Sequence, residues 1–148
     1  SHFAGKDEIV AAIAEEVIEQ VTSSATVLPD GTPRALEDVL EHTFLALQEA
    51  DIAQIAVIVW AEAIRDPALG KRLAGLYAGL AGHFTELVRG CQASGLIDPD
   101  VPAEYPAKVL TALGPAFVHQ LAFGAVTDAR VFTQGLRALL QLPQRRSS

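Results

Sequence analysis

The side chains that could do chemistry in this sequence are few, and they form no pattern of a catalytic or metal site. Cys91 is the only cysteine, and no Cys/His spacing is typical of zinc binding. No glutamate is followed three residues later by histidine, the pair that holds two iron ions in helical bundles. A nucleophile elbow, a P-loop and a dinucleotide-binding glycine pattern are also missing. We therefore predict a protein that is not an enzyme and that uses no metal or cofactor.

The remaining candidate site is a set of aromatic residues on separate predicted helices. With a few polar groups, they could line an apolar chamber for a small molecule. The predicted ligand-binding residues are Phe44, Trp60, Glu62, Tyr77, Leu80, Phe84, Thr111, Phe117 and His119. For each aromatic residue the alternative is ordinary packing in the core. Glu62 either pairs with an internal arginine or accepts from a ligand, because an unpaired carboxylate on an apolar face is costly.

The stretch from Glu104 to Gly124 predicts a helix with two apolar faces. One face carries Leu110, Leu113, Phe117 and Leu121, and the other carries Val109, Ala112, Ala116 and Phe123. Since a surface helix needs only one apolar stripe, we expect a second copy of the chain to cover the other. Which face meets the copy stays open, and His119, beside Ala116, belongs either to that interface or to the chamber. Pro115 predicts a kink, costs about 3 kcal/mol and frees the Thr111 carbonyl.

The other predicted elements are also helices, so the fold class is all-α. Ile9, Ile13, Val17 and Val21 predict a first amphipathic helix, with Glu15, Glu16 and Glu19 on its outer side. A second helix, capped by Thr32-Pro33 and ending near Gln48, is expected to bury Leu36, Leu40, Phe44 and Leu47 and to leave His42 exposed. The segment Ala50 to Asp66 is apolar all round, which predicts a central, buried helix.

Capping signals mark the two remaining helices. Asp66-Pro67 begins the longest helix, which is expected to end at Ser94-Gly95 and to bury a continuous leucine-rich stripe that includes Cys91. Its glycines at 75, 79 and 82 share another face, which is either a close-packing surface or simply solvated. Thr127 or Asp128 caps the final helix, whose apolar residues, Val131, Phe132, Gly135, Leu136, Leu139 and Leu140 among them, cover more than one core contact requires.

Length and charge limit the class of protein further. The chain has 148 residues, enough for one domain, and a net charge of −7, which argues against direct binding of nucleic acid. No uninterrupted apolar run is long enough to cross a bilayer and no signal peptide is apparent, so a soluble, cytoplasmic protein is expected. Because the sequence contains no methionine, even at position 1, we expect it to begin inside a longer protein.

Three short motifs resemble those of TetR-family transcriptional regulators. His2-Phe3 with Gly5 to Ile9 resembles the junction between the recognition helix and the fourth helix, although Ser1-His2 as a tag remnant is the alternative. The Asp-Pro-x-Leu start at Asp66 and the Gly95-Leu96-Ile97 turn resemble the regulatory half. The order of the predicted helices is similar to that half over nearly the whole chain.

The resemblance implies an all-α regulatory domain of about six helices, in which the last two form a four-helix interface with a twin subunit. The implied interface residues are Val109, Ala112, Ala116, Phe123, Phe132, Gly135, Leu136 and Leu139. It also implies that a small effector moves the helix from Lys6 to Val21 and releases operator DNA. His2 and Lys6 would contact DNA phosphate, with the rest of the DNA-binding domain upstream.

The corresponding domain boundaries are residues 1–5 for the end of the DNA-binding domain, 6–142 for the ligand-binding and dimerisation domain and 143–148 for a disordered tail. A repressor is favoured over an activator. The alternatives are a helical dimerisation module without a ligand and a helix-bundle enzyme without a regulatory role.

Overall fold

The computed structural model describes residues 35–126 and 128–140, together with the single positions 8, 9, 12, 15, 16 and 19; for Ala50 only the backbone is described. Thr32, Pro33, Thr127 and the predicted tail at 143–148 therefore lie outside the described residues. Five helices are fully bounded: α1 (Leu36–Ala50), α2 (Ala53–Arg65), α3 (Pro67–Ser94), α4 (Glu104–Ala122) and α5 (Ala129–Leu140). The six single positions are also helical, and no strand occurs among the described residues. The predicted all-α class is confirmed.

Local sequence explains where the longest helix begins and ends. The Asp66 carboxylate accepts hydrogen bonds from the backbone N–H groups of Ala68 at 3.0 Å and Leu69 at 3.3 Å, and Pro67 needs no acceptor at the first helical position. At the other end Gly95 adopts a φ of 84°, a left-handed conformation that only glycine enters freely, and its N–H caps the helix. Both predicted boundaries of α3 are confirmed.

The start of α1 differs from the prediction. The helix begins at Leu36 after an extended Ala35, not at Pro33, and the acidic residues Glu37 and Asp38 in its first turn suit the positive helix end. At its other end, the left-handed Asp51 closes the helix, and α2 follows at an angle of 95°. This bend sends α2 away from α1, so α1 can pack on α5 while α2 packs on α3 and α4.

The main core lies among α1, α3, α4 and α5. The buried apolar residues of this core are Leu36, Val39, Leu40, Phe44, Phe84, Val88, Cys91, Ala103, Ala107, Leu110, Phe117 and Ala129. The buried stripes predicted for α1 and α3 are thereby confirmed, as is the exposure of His42. Burial raises the pKa of the Cys91 thiol, which favours its inert, protonated form.

The prediction that the helix after Asp51 is central is wrong. In α2 only Val59 is buried, while Ile55, Ile58 and Ile64 are exposed, Ile64 to 86%. A second small core of Val59, Leu69 and Leu73 joins α2 to α3 on one side. Apolar residues on every face of a helix indicate that each face could be buried, but they do not determine how many other helices pack against it.

The expected orientation of the first helix is met only in part at the described positions. Glu16 and Glu19, predicted to face outward, are exposed, but Glu15 is half-buried against α3, and Ile9, predicted on the apolar side, is 64% exposed. Arg72 of α3 binds the carboxylates of Glu15 and of the exposed Glu8. Ile13, Val17 and Val21 lie outside the described residues.

Gly70 lets α3 approach α2 closely. A Cβ atom at this position would lie 2.8 Å from the backbone carbonyl oxygen of Ala63, a distance that no relaxed contact allows. We expect Gly70→Ala to lower the free energy of unfolding by about 1–3 kcal/mol, since the backbone must shift. Urea denaturation followed by circular dichroism measures this loss.

Gly79→Ala is the matched control for Gly70→Ala. Gly79 lies on the same helix, and a Cβ atom there meets nothing within 4 Å. The control is expected to raise the free energy of unfolding by up to about 1 kcal/mol, because alanine has the higher helix propensity. A Gly70→Ala variant as stable as the Gly79→Ala variant would contradict the close approach of α2 and α3.

Candidate functional site

The outward side of α4 is an apolar stripe with no partner in the described chain. Val109 is 63% exposed and Phe123 is 71% exposed, and Ala112 is exposed between them. The opposite side of the same helix is the buried one, since Phe117 is fully buried and Leu110 is nearly so. The two apolar faces predicted for this helix are both present. The face with Leu110 and Phe117 is buried, and the face with Val109 and Phe123 is exposed.

The sequence analysis missed one member of the stripe. Tyr105 is exposed one turn before Val109, at the i and i+4 spacing that puts residues on one helix face. That spacing was visible in the sequence. The helix continues unbroken through Pro115, which offers no N–H to the carbonyl of Thr111.

The final helix α5 also has an exposed apolar side. Leu139 is 82% exposed, Val131 is exposed in the first turn of the helix, and Gly135 lies exposed between them. Phe132 and Leu136 are only half-exposed because they also pack against the main core, and Ala116 of α4 is half-exposed as well. We name the exposed residues Tyr105, Val109, Ala112, Phe123, Val131, Gly135 and Leu139 the outer apolar face. Large exposed apolar patches mark interaction sites, so each of these two helix sides is a candidate interface.

Polar contacts with α1 set the rotation of α5. Arg137 is only 4% exposed, and its guanidinium donates to the Glu41 carboxylate at 3.3 Å. At the start of α5 the Gln48 side-chain oxygen accepts from the N–H of Ala129 at 2.8 Å. Because Ala129 and Arg137 face inward, Leu139 must face outward. The sequence analysis missed Arg137, since a single arginine in an amphipathic helix is ordinarily solvated.

The predicted ligand-binding residues lie in two separate cores. Phe44 and Phe117 meet edge-on with their ring centroids 5.3 Å apart, and Phe132 packs on both rings, at 5.5 and 5.1 Å. Leu80 and Phe84 belong to the same main core. Thr111 is buried there too, and its hydroxyl donates to the Ala107 carbonyl at 2.8 Å. Interlocked rings of this kind are the geometry of a packed interior.

Trp60 and Tyr77 belong to the small core between α2 and α3. The indole N–H of Trp60 donates to the Tyr77 hydroxyl at 2.6 Å. Burial raises the pKa of the Tyr77 hydroxyl, while the hydrogen bond from Trp60 acts in the opposite direction. The phenol therefore stays neutral at physiological pH and holds the two helices together by a polar contact inside an apolar cluster.

Glu62 and His119 are the two ionisable side chains among the other predicted ligand contacts. Glu62 is half-buried, and its carboxylate pairs with no arginine in the part of the chain that the structure describes. His119 is exposed on the outward side of α4, where its ring lies 5.0 Å from that of Phe123. His2 and Lys6, predicted to contact phosphate, lie outside the described residues. Over residues 8–140, where described, no cluster of three or more potential ligands could hold a metal ion.

None of the described helices is by itself long and apolar enough to cross a membrane, and only the bent pair Leu36–Glu49 with Ala53–Arg65 reaches that length and apolar composition when both are taken together.

Comparison with known proteins agrees with this architecture. Residues 32–141 match the family model described as the C-terminal domain of BetI-type transcriptional repressors. Among solved structures, the fold is similar to GusR of Salmonella enterica, with a TM-score of 0.60 and 25% identity over 88% of this chain and 72% of that one. No curated protein matches the sequence significantly. The chain therefore belongs to the TetR family of transcriptional regulators, and residues 32–141 form its C-terminal regulatory domain.

Proposed function

We propose that this domain is the regulatory half of a homodimeric, cytoplasmic repressor that senses a small, largely apolar molecule. The observation that carries the proposal is the outer apolar face on α4 and α5, which a second copy of the chain would cover. Two helices from each subunit would then form a four-helix interface with twofold symmetry. Ala116, Phe132 and Leu136, which border the face, would complete it.

Operator DNA would be bound through an N-terminal domain upstream of this chain. With a net charge of −7 the regulatory domain itself repels phosphate, so the contacts would come from that domain, aided by His2 and Lys6. Dimerisation would set the spacing between the two DNA-binding domains. Movement of the helix from Lys6 to Val21 would change that spacing and release the operator.

The effector would bind between α2, α3 and α4. Trp60 and Tyr77 offer flat apolar surface with two polar atoms, and Glu62 offers a half-buried carboxylate for a cationic or donor group. The other predicted ligand contacts would not touch an effector at this site, because Phe44, Leu80, Phe84, Thr111 and Phe117 lie in the main core and His119 is exposed on the outward side of α4. An effector that separates the Trp60 and Tyr77 rings must bind the conformation with separated rings more tightly than the conformation with packed rings. Only such a difference in affinity shifts the populations of the two conformations.

A panel of apolar small molecules with and without a cationic group tests the proposal. Since Trp60 is the only tryptophan, its fluorescence reports directly on the small core. We expect at least one compound to change the Trp60 emission and to raise the melting temperature, as any ligand specific for the folded state does. We expect Glu62→Gln to weaken the cationic compounds about tenfold relative to their neutral analogues.

Two results would contradict the effector site. Compounds that raise the melting temperature without changing Trp60 emission would place binding elsewhere. Equal relative affinities in the wild type and in Glu62→Gln would assign Glu62 a structural role. A dimer that binds no compound would favour the alternative, a helical dimerisation module without a ligand.

A further inference from the structure

Arg72 of α3 binds two glutamates near the N-terminus of the chain, Glu8 and Glu15. The Nε of Arg72 donates to a carboxylate oxygen of Glu15 at 2.5 Å, and its Nη1 donates to one of Glu8 at 2.9 Å. Glu8 and Glu15 are both helical and seven residues apart in the sequence, which is the spacing of two helical turns. The guanidinium is a rigid fork with several donors, so it can hold both carboxylates at once.

This double contact is specific for one placement of the N-terminal residues. Sliding them along α3 by one helical turn, about 5.4 Å, would carry at least one carboxylate of the pair beyond the hydrogen-bonding reach of Arg72. Rotating them by one residue, about 100°, would turn both carboxylates away. The contact therefore defines position and rotation together, which a single ion pair or a smooth apolar contact does not.

Arg72 stands on a well-packed base. Its neighbours Leu69 and Leu73 are buried against Val59, and farther along the helix Tyr77 accepts the hydrogen bond from Trp60. Displacement of α3 against α2 at the small core therefore moves the guanidinium as well. The base is rigid, and the outer end of the contact meets water, since the Arg72 side chain is 35% exposed and that of Glu8 is 72% exposed.

Exposed ion pairs are weakened by salt and open without unfolding the core. The contact between Arg72 and its two glutamates therefore has a defined geometry, and the two ion pairs can break while the core stays folded. A buried apolar contact of the same extent would hold the N-terminal residues more permanently.

We propose that Arg72, Glu8 and Glu15 form an ionic latch that holds the N-terminal helix against α3 in one position and passes changes at the Trp60–Tyr77 pair to it. Arg72 is a positioning residue in this device. The proposal rests on the proposed function in one respect, namely that movement of the N-terminal helix is the regulatory output. The latch itself needs neither effector nor DNA.

Hydrogen exchange measured by mass spectrometry tests the latch in the full 148-residue chain. We expect Arg72→Met, which keeps the apolar stem and removes the guanidinium, to raise the exchange rate of the peptide covering residues 8–19 at least about threefold. In the wild type, raising NaCl to about 1 M, where the Debye length is about 3 Å, is expected to produce the same change. The variant is expected to be insensitive to salt in this peptide.

Arg89→Met is the matched control, because Arg89 also lies on α3 and also contacts two glutamates, Glu86 and Glu104. It is expected to leave the exchange of residues 8–19 unchanged. Exchanging the charges, with Glu15→Arg added to Arg72→Glu, is expected to restore part of the protection that Arg72→Glu alone removes. Restoration would identify the charge pair itself as the cause.

The coupling to the small core is tested by Tyr77→Phe, which removes the hydroxyl that accepts from Trp60. We expect this variant to speed exchange in residues 8–19 when Arg72 is present and to have no further effect in the Arg72→Met background. Unchanged exchange in Arg72→Met would overturn the latch, and equal effects of Tyr77→Phe in both backgrounds would overturn the coupling. Failure to bind any effector would count against the proposed function while leaving both latch results standing.

Discussion

Replacing Leu139 with glutamate is expected to convert a dimer into a monomer of 15.7 kDa. Leu139 is 82% exposed in the single chain, so the new carboxylate would be solvated in the monomer and folding of one subunit would proceed as before. In the proposed dimer the same carboxylate would be buried without a partner, which is strongly unfavourable. Twofold symmetry places the change in the interface twice. The dimer dissociation constant is expected to rise at least about a hundredfold, or roughly 2.7 kcal/mol.

Sedimentation equilibrium measures this dissociation, with circular dichroism to verify that the subunit remains helical. Ile64→Glu is the matched control, because Ile64 is 86% exposed on α2, outside the outer apolar face. The control is expected to dimerise as the wild type does. An undisturbed dimer in Leu139→Glu would mean that the copies meet elsewhere, and a monomeric Ile64→Glu would assign the interface to α2.

Truncating Phe117 to alanine is expected to cost about 3–5 kcal/mol of unfolding free energy. Phe117 is fully buried and its ring touches those of Phe44 and Phe132, so its removal leaves a cavity and takes one neighbour from each of these two rings. The size of the loss separates two roles for the same residue. A ring in a packed core makes contacts on all sides, whereas a ring that borders an open chamber has already lost part of them.

Urea denaturation in the Leu139→Glu background measures this loss without a contribution from dimerisation. Phe123→Ala is the control, since Phe123 caps the C-terminal end of the same helix but is 71% exposed. In the monomeric background it is expected to change stability by no more than about 0.5 kcal/mol. A loss below about 1.5 kcal/mol for Phe117→Ala would indicate that Phe117 borders a chamber.

Boundaries and faces within a helix were predictable because their causes are local. Asp66 accepts from two N–H groups of its own first turn, and Gly95 takes a left-handed conformation at the end of the same helix. The buried stripe of α3 follows from apolar side chains that recur every third or fourth residue. The presence of two apolar faces on α4 was predictable for the same reason, although not which of them faces outward.

Contacts between distant residues were not predictable, because no local pattern encodes them. Arg72 reaches Glu15 and Glu8, and Arg137 reaches Glu41, across long separations in sequence. The periodicity of the first helix placed Ile9 inside, but Ile9 is exposed, while Glu15 of the same helix pairs with Arg72 and is half-buried. Five isolated aromatic residues likewise indicated one chamber, whereas the fold separates Trp60 and Tyr77 from the phenylalanines.

The sequence by itself determined the helices of this domain, both ends of α3 and the apolar character of the helix faces, since side-chain spacing and capping act within one helix. It also indicated the family, because three short motifs and the order of the predicted helices resemble those of TetR-family regulators. Only the tertiary structure decided which apolar faces are covered. Burial depends on where other helices pass, so the fully apolar α2 lies at the periphery, while α4 and α5 each bury one side and leave the other for a partner.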